Sequence, residues 1–358
     1  MTAKTELLLI LTPGFPKDES DTSCLPAQQS FVRSLQNNFP SLKIVVLSFQ
    51  YPFSQAKYVW HGIDVVPFGG HDQPGIRRVS VWMAAWNQMK KIRRDHHILG
   101  LFSFWCTECA LVGKFFARRY QVEHYIWILG QDAKKNNKYV QWIHPKSENL
   151  VAMSDFLAKE FFSNYKIKPK YVIPNGIDPS LYKNSMSKRD IDVLGAGSLI
   201  GLKQYEIFIE IISELKKQMP GVRAMICGEG PEHNNLQQLI HNLRLENNIS
   251  LAGKKAHPEV LLCMQRSRIF LHTSSYEGFS SVCLEALYAG ARVISFFKPM
   301  AAWINHWYIV RDKEEMVEKI IELLNDPEVD YRPVLPYPMK DSAKAVMNLF
   351  NYKEPAIS

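Results

Sequence analysis

The stretch Ser274-Ser-Tyr-Glu-Gly-Phe-Ser-Ser-Val-Cys-Leu-Glu-Ala286 carries the strongest local pattern in this chain of 358 residues. It follows a short apolar run, Arg268–Leu271, that predicts a buried strand, and it leads into a segment that predicts a helix beginning near Ser281. Backbone N–H groups at a helix start lack partners within the helix and carry the positive end of its dipole. The stretch therefore predicts a phosphate-binding turn.

The residues of the predicted phosphate cradle are Gly278, Phe279, Ser280 and Ser281. Gly278 lets the backbone approach a ligand closely because it has no Cβ. Glu277 precedes the helix and Glu285 lies about one turn inside it. Two carboxylates do not bind the phosphate itself, so they suit hydroxyl-rich groups on either side of it, such as a sugar and a ribose. The alternative is that Glu285 makes a surface ion pair and that Ser280 or Ser281 only caps the helix.

Strand and helix patterns alternate on both sides of this stretch. Near-continuous apolar runs such as Ile98–Phe104 and Tyr125–Leu129 are typical of parallel strands covered on both faces. The predicted strands cover residues 6–12, 43–48, 98–104, 124–129 and 149–154, and then 192–195, 223–227, 249–252, 268–271 and 292–295. Helical patterns lie between them, notably at 79–94, 108–120 and 203–218. This alternation predicts βαβ units and open parallel sheets, an α/β fold.

The length of the chain predicts two domains of roughly 150–200 residues each. The turn-rich segment Ile173-Pro-Asn-Gly-Ile-Asp-Pro179 marks the junction. We predict a first domain at 1–173, a second at 174–335, and a final segment at 336–358 whose helix crosses back onto the first domain. Two doubly wound domains that face each other place the carboxyl ends of both sheets at one cleft, where ligands of such sheets bind.

The six cysteines are scattered and do not form a disulfide framework. We interpret them as reduced thiols of a cytoplasmic protein. The single C-x-x-C, at Cys106 and Cys109, lacks the second pair that a zinc site would require. A redox motif is the alternative, and two small residues at a buried helix start are the better interpretation. No apolar stretch approaches the roughly 20 residues needed to span a bilayer.

The excess of positive over negative charge lies in the first half of the chain. Up to Ile173 there are 22 Lys and Arg against 13 Asp and Glu, although the whole chain has a net charge of only +8. Such a patch attracts phosphate-bearing acceptors or an anionic membrane surface, and Trp82 and Trp86 on one predicted helix allow a peripheral contact at the inner membrane face. The alternative is a set of solvated helix ends. No nucleic-acid motif accompanies the charge, so we expect no nucleic-acid partner.

Residues 277–290 read E-G-F-x(4)-L-E-A-L-x-x-G, which resembles the E-x7-E signature of retaining glycosyltransferases, in particular glycosyltransferase family 4. Val172–Asp178 is similar to the family's interdomain P-N-G-[VI]-D, and Cys227–Pro231 to its G-x-G-P turn. The resemblance implies a GT-B fold, in which two facing Rossmann-like domains hold the donor in the cleft between them. The first domain would bind the acceptor and the second the nucleotide-sugar donor.

The resemblance also implies a role for each site residue. Glu277 and Lys203 would be catalytic, with Glu277 holding hydroxyls of the donor sugar and Lys203 neutralising the diphosphate together with the amides of the cradle. Glu285 would hold the ribose hydroxyls. The remaining implied donor contacts are Gly14 from the first domain, Glu229 and Lys254 beside the base, and Ser198, which stands where the family often has an arginine.

The implied reaction moves a sugar from a UDP- or GDP-sugar to a glycan or lipid-linked acceptor, with retention of anomeric configuration. No cofactor is implied, and no metal is expected, since no D-x-D or histidine cluster offers an obvious metal site. Two alternatives remain open. Gly195-Ala-Gly-Ser-Leu-Ile-Gly201 follows a predicted strand and could be a loose dinucleotide fingerprint of an NAD(P)-dependent oxidoreductase. The missing arginine leaves room for a non-catalytic homologue that binds nucleotide-sugars.

Overall fold

A computed structural model describes residues 6–183 and 188–355, which form two compact units. Unit 1 comprises residues 1–176 and 339–358, and unit 2 comprises residues 177–338. The predicted boundaries, after residues 173 and 335, each lie three residues before those of the structure. Residues 1–5, 184–187 and 356–358 of the predicted segments lie outside the described residues.

The described strands and helices alternate along most of the chain. The strands are β1 Glu6–Gly14, β2 Lys43–Tyr51, β3 Tyr58–Trp60, β4 Ile63–Pro67, β5 His97–Phe104, β6 Glu123–Ile128, β7 Leu150–Ala152, β8 Tyr171–Val172, β9 Ile191–Ala196, β10 Ala224–Cys227, β11 Ile249–Leu251, β12 Ser267–His272, β13 Arg292–Ser295 and β14 Trp307–Ile309. The helices are α1 Pro26–Asn38, α2 Ile76–Asp95, α3 Glu108–Tyr120, α4 Lys138–Ile143, α5 Asp155–Tyr165, α6 Tyr205–Gln218, α7 His233–Asn242, α8 His257–Arg266, α9 Ser281–Tyr288, α10 Lys313–Asn325 and α11 Met339–Leu349.

Unit 1 is built on an eight-stranded sheet in the order β3-β4-β2-β1-β5-β6-β7-β8. Its neighbouring strands are parallel except for the antiparallel pair β3 and β4. Leu7–Leu11 of β1 are fully buried, because helices cover both faces of a central parallel strand. Unit 2 has a six-stranded, all-parallel sheet in the order β11-β10-β9-β12-β13-β14. The predicted α/β class with parallel sheets is therefore confirmed.

The chain returns to unit 1 at its end, where α11 packs against α1. A Cβ placed on Gly100 of β5 would lie 2.1 Å from the ring of Phe350, so only glycine leaves room for this ring over the sheet. Phe350 also packs edge-on against Tyr125 at 5.0 Å, and the Tyr125 hydroxyl donates to the Leu349 carbonyl at 2.9 Å. These contacts attach the last helix to the first sheet.

Some sequence-based boundaries were wrong. The helix predicted to begin at Lys203 begins at Tyr205, because Gln204 adopts a left-handed conformation (φ 49°) and separates the helix from a short turn at Gly201–Lys203. Helix α1 was missed, since its buried face includes Gln28, Ser30 and Ser34 and does not show a regular apolar pattern. None of the helices in the described ranges combines the length and apolar character needed to cross a membrane.

Candidate functional site

The predicted phosphate turn lies where the carboxyl end of β12 leads into α9. Cys283 donates the first hydrogen bond of this turn to the Ser280 carbonyl, at 2.9 Å. The N–H groups of Ser281 and Val282 lie before this bond and, like the first N–H groups of any helix, have no partner within the helix. They are the groups that an anion would contact. Phe279 is buried and anchors the segment, so the amides are held on a fixed backbone.

Ser280 has a strained conformation at this turn. It is almost fully buried and left-handed, with φ at 60°, a region that residues other than glycine rarely adopt. Apart from the Cys283 thiol beside it, its buried hydroxyl has no hydrogen-bond partner among the described residues. The side chain of Ser280 does not cap the helix. The left-handed backbone of Ser280 and its buried hydroxyl fit a ligand-binding turn better than a simple helix cap.

A second loop, after the neighbouring strand β9, is fastened to this turn. The Thr273 hydroxyl donates to the Lys203 carbonyl at 2.8 Å, and the Ser275 amide donates to the Leu202 carbonyl at 3.0 Å. Since β9 and β12 are parallel neighbours, their carboxyl ends meet at the same edge of the sheet. The short turn that carries Lys203 is thus fixed beside the segment that carries Glu277.

Lys203 and Glu277 form an ion pair, with Nζ 2.6 Å from Oε2. Both side chains are about one-fifth exposed, and His272 Nε2 lies 3.5 Å from the same carboxylate oxygen. Burial alone would raise the pKa of Glu277. The hydrogen bond from His272 and the charge and hydrogen bond of Lys203 outweigh burial and lower this pKa to about 2. Glu277 is therefore ionised at neutral pH and partly accessible to a ligand.

Glu285 does not make the exposed ion pair that was the alternative interpretation. Its Oε1 lies 2.8 Å from His257 Nε2, at the start of α8, and the two side chains are only 14% and 13% exposed. The Tyr182 hydroxyl donates to the Glu285 carbonyl at 3.1 Å, which holds the backbone of α9 at this position. Glu285 is thus a largely buried carboxylate with a specific partner.

The loop after β10 crosses closely over the loop after β9. A Cβ at Gly228 would lie 1.9 Å from the Gly197 carbonyl oxygen, so this crossing requires glycine. The Gly228 amide donates to the Gly253 carbonyl at 2.9 Å, which joins the loop after β11 to the same edge. Three predicted donor contacts, Ser198, Glu229 and Lys254, lie exposed on these loops. Unit 2 thus gathers its predicted site residues at the carboxyl edge of one sheet.

The glycines of the alternative dinucleotide fingerprint have other roles. A Cβ at Gly195 would lie 3.1 Å from the rings of Phe208 and Tyr205, so this glycine allows α6 to pack on β9. Gly201 begins the short turn that carries Lys203, and α6 starts only at Tyr205. The third glycine therefore does not open the helix, as a dinucleotide site would require.

Gly14, the predicted contribution of the first domain, lies buried at the end of β1. A Cβ there would lie 3.7 Å from Tyr51 Cβ, an ordinary contact, so unit 1 itself does not require glycine at this position. Its role at the diphosphate stays a prediction. Unit 1 also holds a buried carboxylate that sequence reasoning did not assign, Glu108. It accepts a hydrogen bond from Trp82 Nε1 at 2.7 Å and lies 3.6 Å from Arg78 Nε.

Sequence reasoning also missed His272 and His257, the two histidines beside the predicted carboxylates. His272 follows an apolar run and His257 lies among polar residues, and no motif marks either histidine. The available signal was position, since His272 ends the strand before the signature and His257 starts the helix after the β11 loop. Within residues 6–183 and 188–355 no group of three or more His, Cys, Asp or Glu side chains could hold a metal ion. The metal-free reaction remains a prediction.

Solved structures share this fold over nearly the whole chain. Sucrose-phosphate synthase from Thermosynechococcus elongatus superposes with a TM-score of 0.72 at 15% identity, covering 97% of this chain and 95% of that one. A glycosyltransferase from Rickettsia africae superposes with a TM-score of 0.71 at 15% identity, covering 97% of this chain and 94% of that one. The chain therefore has the fold of GT-B glycosyltransferases, as predicted.

Residues 181–334, which include every unit 2 site residue described above, match the family described as "Glycosyl transferases group 1". The match lies within the second half of the chain. The gpi3 component of the phosphatidylinositol N-acetylglucosaminyltransferase of Schizosaccharomyces pombe is 28% identical over 164 residues, 44% of this chain and 36% of that protein. The GtfA component of a UDP-N-acetylglucosamine–peptide N-acetylglucosaminyltransferase of Streptococcus pneumoniae is 28% identical over 147 residues, 41% and 29% of the respective lengths. The matched part thus spans about a third of these relatives.

Proposed function

We propose that this chain transfers a hexose or N-acetylhexosamine from a nucleotide-sugar to a glycan or lipid-linked acceptor, with retention of anomeric configuration and without a metal ion. The observation that carries the proposal is the Lys203–Glu277 pair, 2.6 Å apart and partly accessible beside the start of α9, in a domain of the group 1 family. The donor would be a UDP-sugar in the first instance, with GDP-sugars as the second choice.

The arrangement suits departure of a nucleoside diphosphate. Breaking the bond between sugar and phosphate builds negative charge on the diphosphate and positive character on the anomeric carbon. The Lys203 ammonium and the N–H groups at the start of α9 would stabilise the former, since fixed donors act most strongly where charge develops. Glu277, with its pKa of about 2, would accept hydrogen bonds from the hydroxyls of the sugar. Glu285 would do the same for the ribose.

The names of the relatives support a UDP-sugar donor. Two relatives of this domain are N-acetylglucosaminyltransferases, and one of them is named for UDP-N-acetylglucosamine. Anabaena HepE, which has the same fold with a TM-score of 0.67 at 16% identity, was solved in complex with UDP-glucose. These facts concern the relatives, and for this chain they select the donors to test first.

The proposal predicts slow release of free UDP when the protein is incubated with UDP-N-acetylglucosamine or UDP-glucose, because such an enzyme lets some water take the place of the acceptor. EDTA should leave this rate unchanged. NMR of the sugar formed in the first minutes should show the donor's own anomeric configuration. Tight nucleotide-sugar binding with no turnover would instead identify a non-catalytic binding protein, and an inverted product would contradict retention.

We further propose that this protein is cytoplasmic and that it contacts an anionic membrane surface through the start of α2. Ile76 is 91% exposed, and Val79 and Met83, which lie on the same face of the helix at three- and four-residue spacing, are also exposed. Arg77 stands between them in the half of the chain that carries the positive charge. Trp82 and Trp86, by contrast, pack against the core of unit 1, so the contact would use other residues than the tryptophans.

We expect the protein to sediment with vesicles of phosphatidylcholine and phosphatidylserine, and much less with phosphatidylcholine alone, because the basic half is attracted to anionic lipid. Replacing both Ile76 and Met83 by serine should weaken this binding by about tenfold or more, since apolar surface contributes about 0.8 kcal/mol per buried methylene. Ile309→Ser, at an exposed apolar residue of unit 2, is the control. Equal binding of both variants and the parent would contradict the proposal.

A further inference from the structure

We infer that His257 is a positioning residue for the nucleotide: it holds the carboxylate of Glu285 in the orientation that binds the ribose hydroxyls, and so makes the unit 2 site selective for ribonucleotides over deoxyribonucleotides. This inference rests on the proposed function, because it concerns the same donor site. It adds a residue that the family signature does not contain.

The geometry joins two helices. His257 is the first residue of α8, and Glu285 lies in the middle of α9, 28 positions further along the chain. The hydrogen bond between Nε2 and Oε1 is 2.8 Å long. Across the described ranges, His257 is the one side chain that hydrogen-bonds this carboxylate. The contact therefore occupies one oxygen of Glu285 and leaves the other available for a ligand.

Burial makes this partner necessary. A carboxylate that is only 14% exposed loses most of its hydration, which is unfavourable unless another group supplies hydrogen bonds or charge. His257 supplies a hydrogen bond. Burial would lower the pKa of His257, but the hydrogen bond and negative charge of Glu285 raise it above its ordinary value. The hydrogen bond restricts the Glu285 side chain to the rotamers that place Oε1 beside His257 Nε2.

A carboxylate fixed in this way is suited to a vicinal diol. A free glutamate samples several rotamers, and ordering it on binding would cost conformational entropy. A preorganised carboxylate avoids that cost and accepts charge-assisted hydrogen bonds from the ribose hydroxyls. Losing such bonds lowers affinity substantially, so ribose selectivity of at least tenfold is expected. Without His257 the same carboxylate would be neither held nor compensated.

The chain offers a matched control for the pair. His241 and Glu246 also form a His–Glu contact, 2.7 Å between Nδ1 and Oε1, in the same unit. Their side chains are 80% and 52% exposed, and neither lies on a loop that carries a predicted site residue. Removing His241 therefore tests the effect of losing a histidine–glutamate contact that lies outside the predicted ribose site.

The test compares affinities for UDP and 2′,3′-dideoxy-UDP by isothermal titration calorimetry, with GDP and its dideoxy form as the second pair. For the parent protein we expect the ribonucleotide to bind at least tenfold more tightly. In His257→Ala the affinity for UDP should fall about tenfold, whereas the affinity for dideoxy-UDP should stay unchanged. Glu285→Ala should show the same two results. His257→Gln should restore most of the selectivity, because its side-chain amide reaches the position of Nε2. His241→Ala should behave as the parent.

Each other outcome decides against the inference. Full selectivity in His257→Ala would show that Glu285 does not need the histidine, and equal losses for both nucleotides would show a merely structural role. If His257→Ala does not fold, His257→Gln and His257→Asn replace it, since Asn is too short to reach Glu285 and should lose the selectivity that Gln keeps. A parent protein that binds neither UDP nor GDP would overturn the proposed function itself, whereas a parent that binds both forms of a nucleotide equally would overturn only this inference.

Discussion

Lys203→Ala should lower kcat for donor turnover by about 100- to 1000-fold, the usual loss when one preorganised donor to a developing negative charge is removed. Lys203 Nζ lies 2.6 Å from Glu277, on a turn fixed by hydrogen bonds from Thr273 and Ser275. The charge on the diphosphate grows as the sugar leaves, so the lysine acts mainly in the transition state. The Michaelis constant for the donor should therefore change much less than kcat, by a few-fold.

Steady-state kinetics of UDP release measure this effect. Lys217→Ala is the matched control, because Lys217 also pairs with a glutamate, Glu214, at 2.7 Å, but on the exposed face of α6. Removal of Lys203 also leaves Glu277 with His272 as its remaining basic neighbour among the described residues, so the melting temperature should be recorded for every variant. A folded Lys203→Ala protein with the parent's kcat would exclude Lys203 from the reaction.

Glu277→Gln should lower kcat/KM by about 100-fold or more, because the amide keeps the shape of the side chain but loses the negative charge that accepts hydrogen bonds from the sugar and balances Lys203. Hydrogen bonds to a charged group are worth about 1.5–3 kcal/mol each, and two lost bonds correspond to this factor. Glu214→Gln is the control, since its carboxylate pairs with Lys217 outside the site. Activity within about threefold of the parent would contradict a role for Glu277 in holding the sugar.

The same substitution has a predicted pH signature in stability. The pKa of Glu277 is about 2 in the folded protein, below its ordinary value of 4.5, so its ionised form stabilises the fold. That contribution, on the order of 3 kcal/mol, is fully present above pH 4.5 and is lost as the pH falls toward 2. Urea unfolding should therefore show a large difference between the parent and Glu277→Gln at neutral pH that shrinks steadily as the pH falls below the ordinary pKa. A difference independent of pH would mean that the ion pair does not contribute in this way.

The two sheets show which features of a sequence predict a fold. Strands such as β5 and β6 consist almost entirely of apolar residues because helices cover both faces of a parallel sheet, and this pattern is visible without a structure. Helix α1 was missed for the opposite reason, since polar side chains, Gln28 and Ser30 among them, are buried on its inner face. The start of α6 was misplaced because the left-handed conformation of Gln204 has no reliable sequence signal in a residue that is not glycine.

For the candidate site too, the sequence predicts some features and only the structure reveals others. The sequence predicted Glu277 and Glu285 from a signature with fixed spacing along the chain, and Lys203 from a separate segment, Gly197–Lys203, that resembles the family's. It did not reveal that Lys203 pairs with Glu277, 74 positions away, or that the alternative surface pair of Glu285 is a buried contact with His257. The family match and the shared fold support the sequence-based prediction of a glycosyltransferase. The role of each residue stays a prediction that the variants above test.

By itself the sequence determined the α/β class with parallel sheets, because apolar periodicity is a local property. The phosphate turn before α9 stays a prediction from motif spacing. Only the tertiary structure decided which basic side chains contact each carboxylate: it brought His272 and Lys203 to Glu277, and His257 to Glu285. Contacts between residues that are distant in sequence depend on strand order and helix packing, and the electrostatic state of a carboxylate depends on those contacts and on burial, which no local pattern specifies.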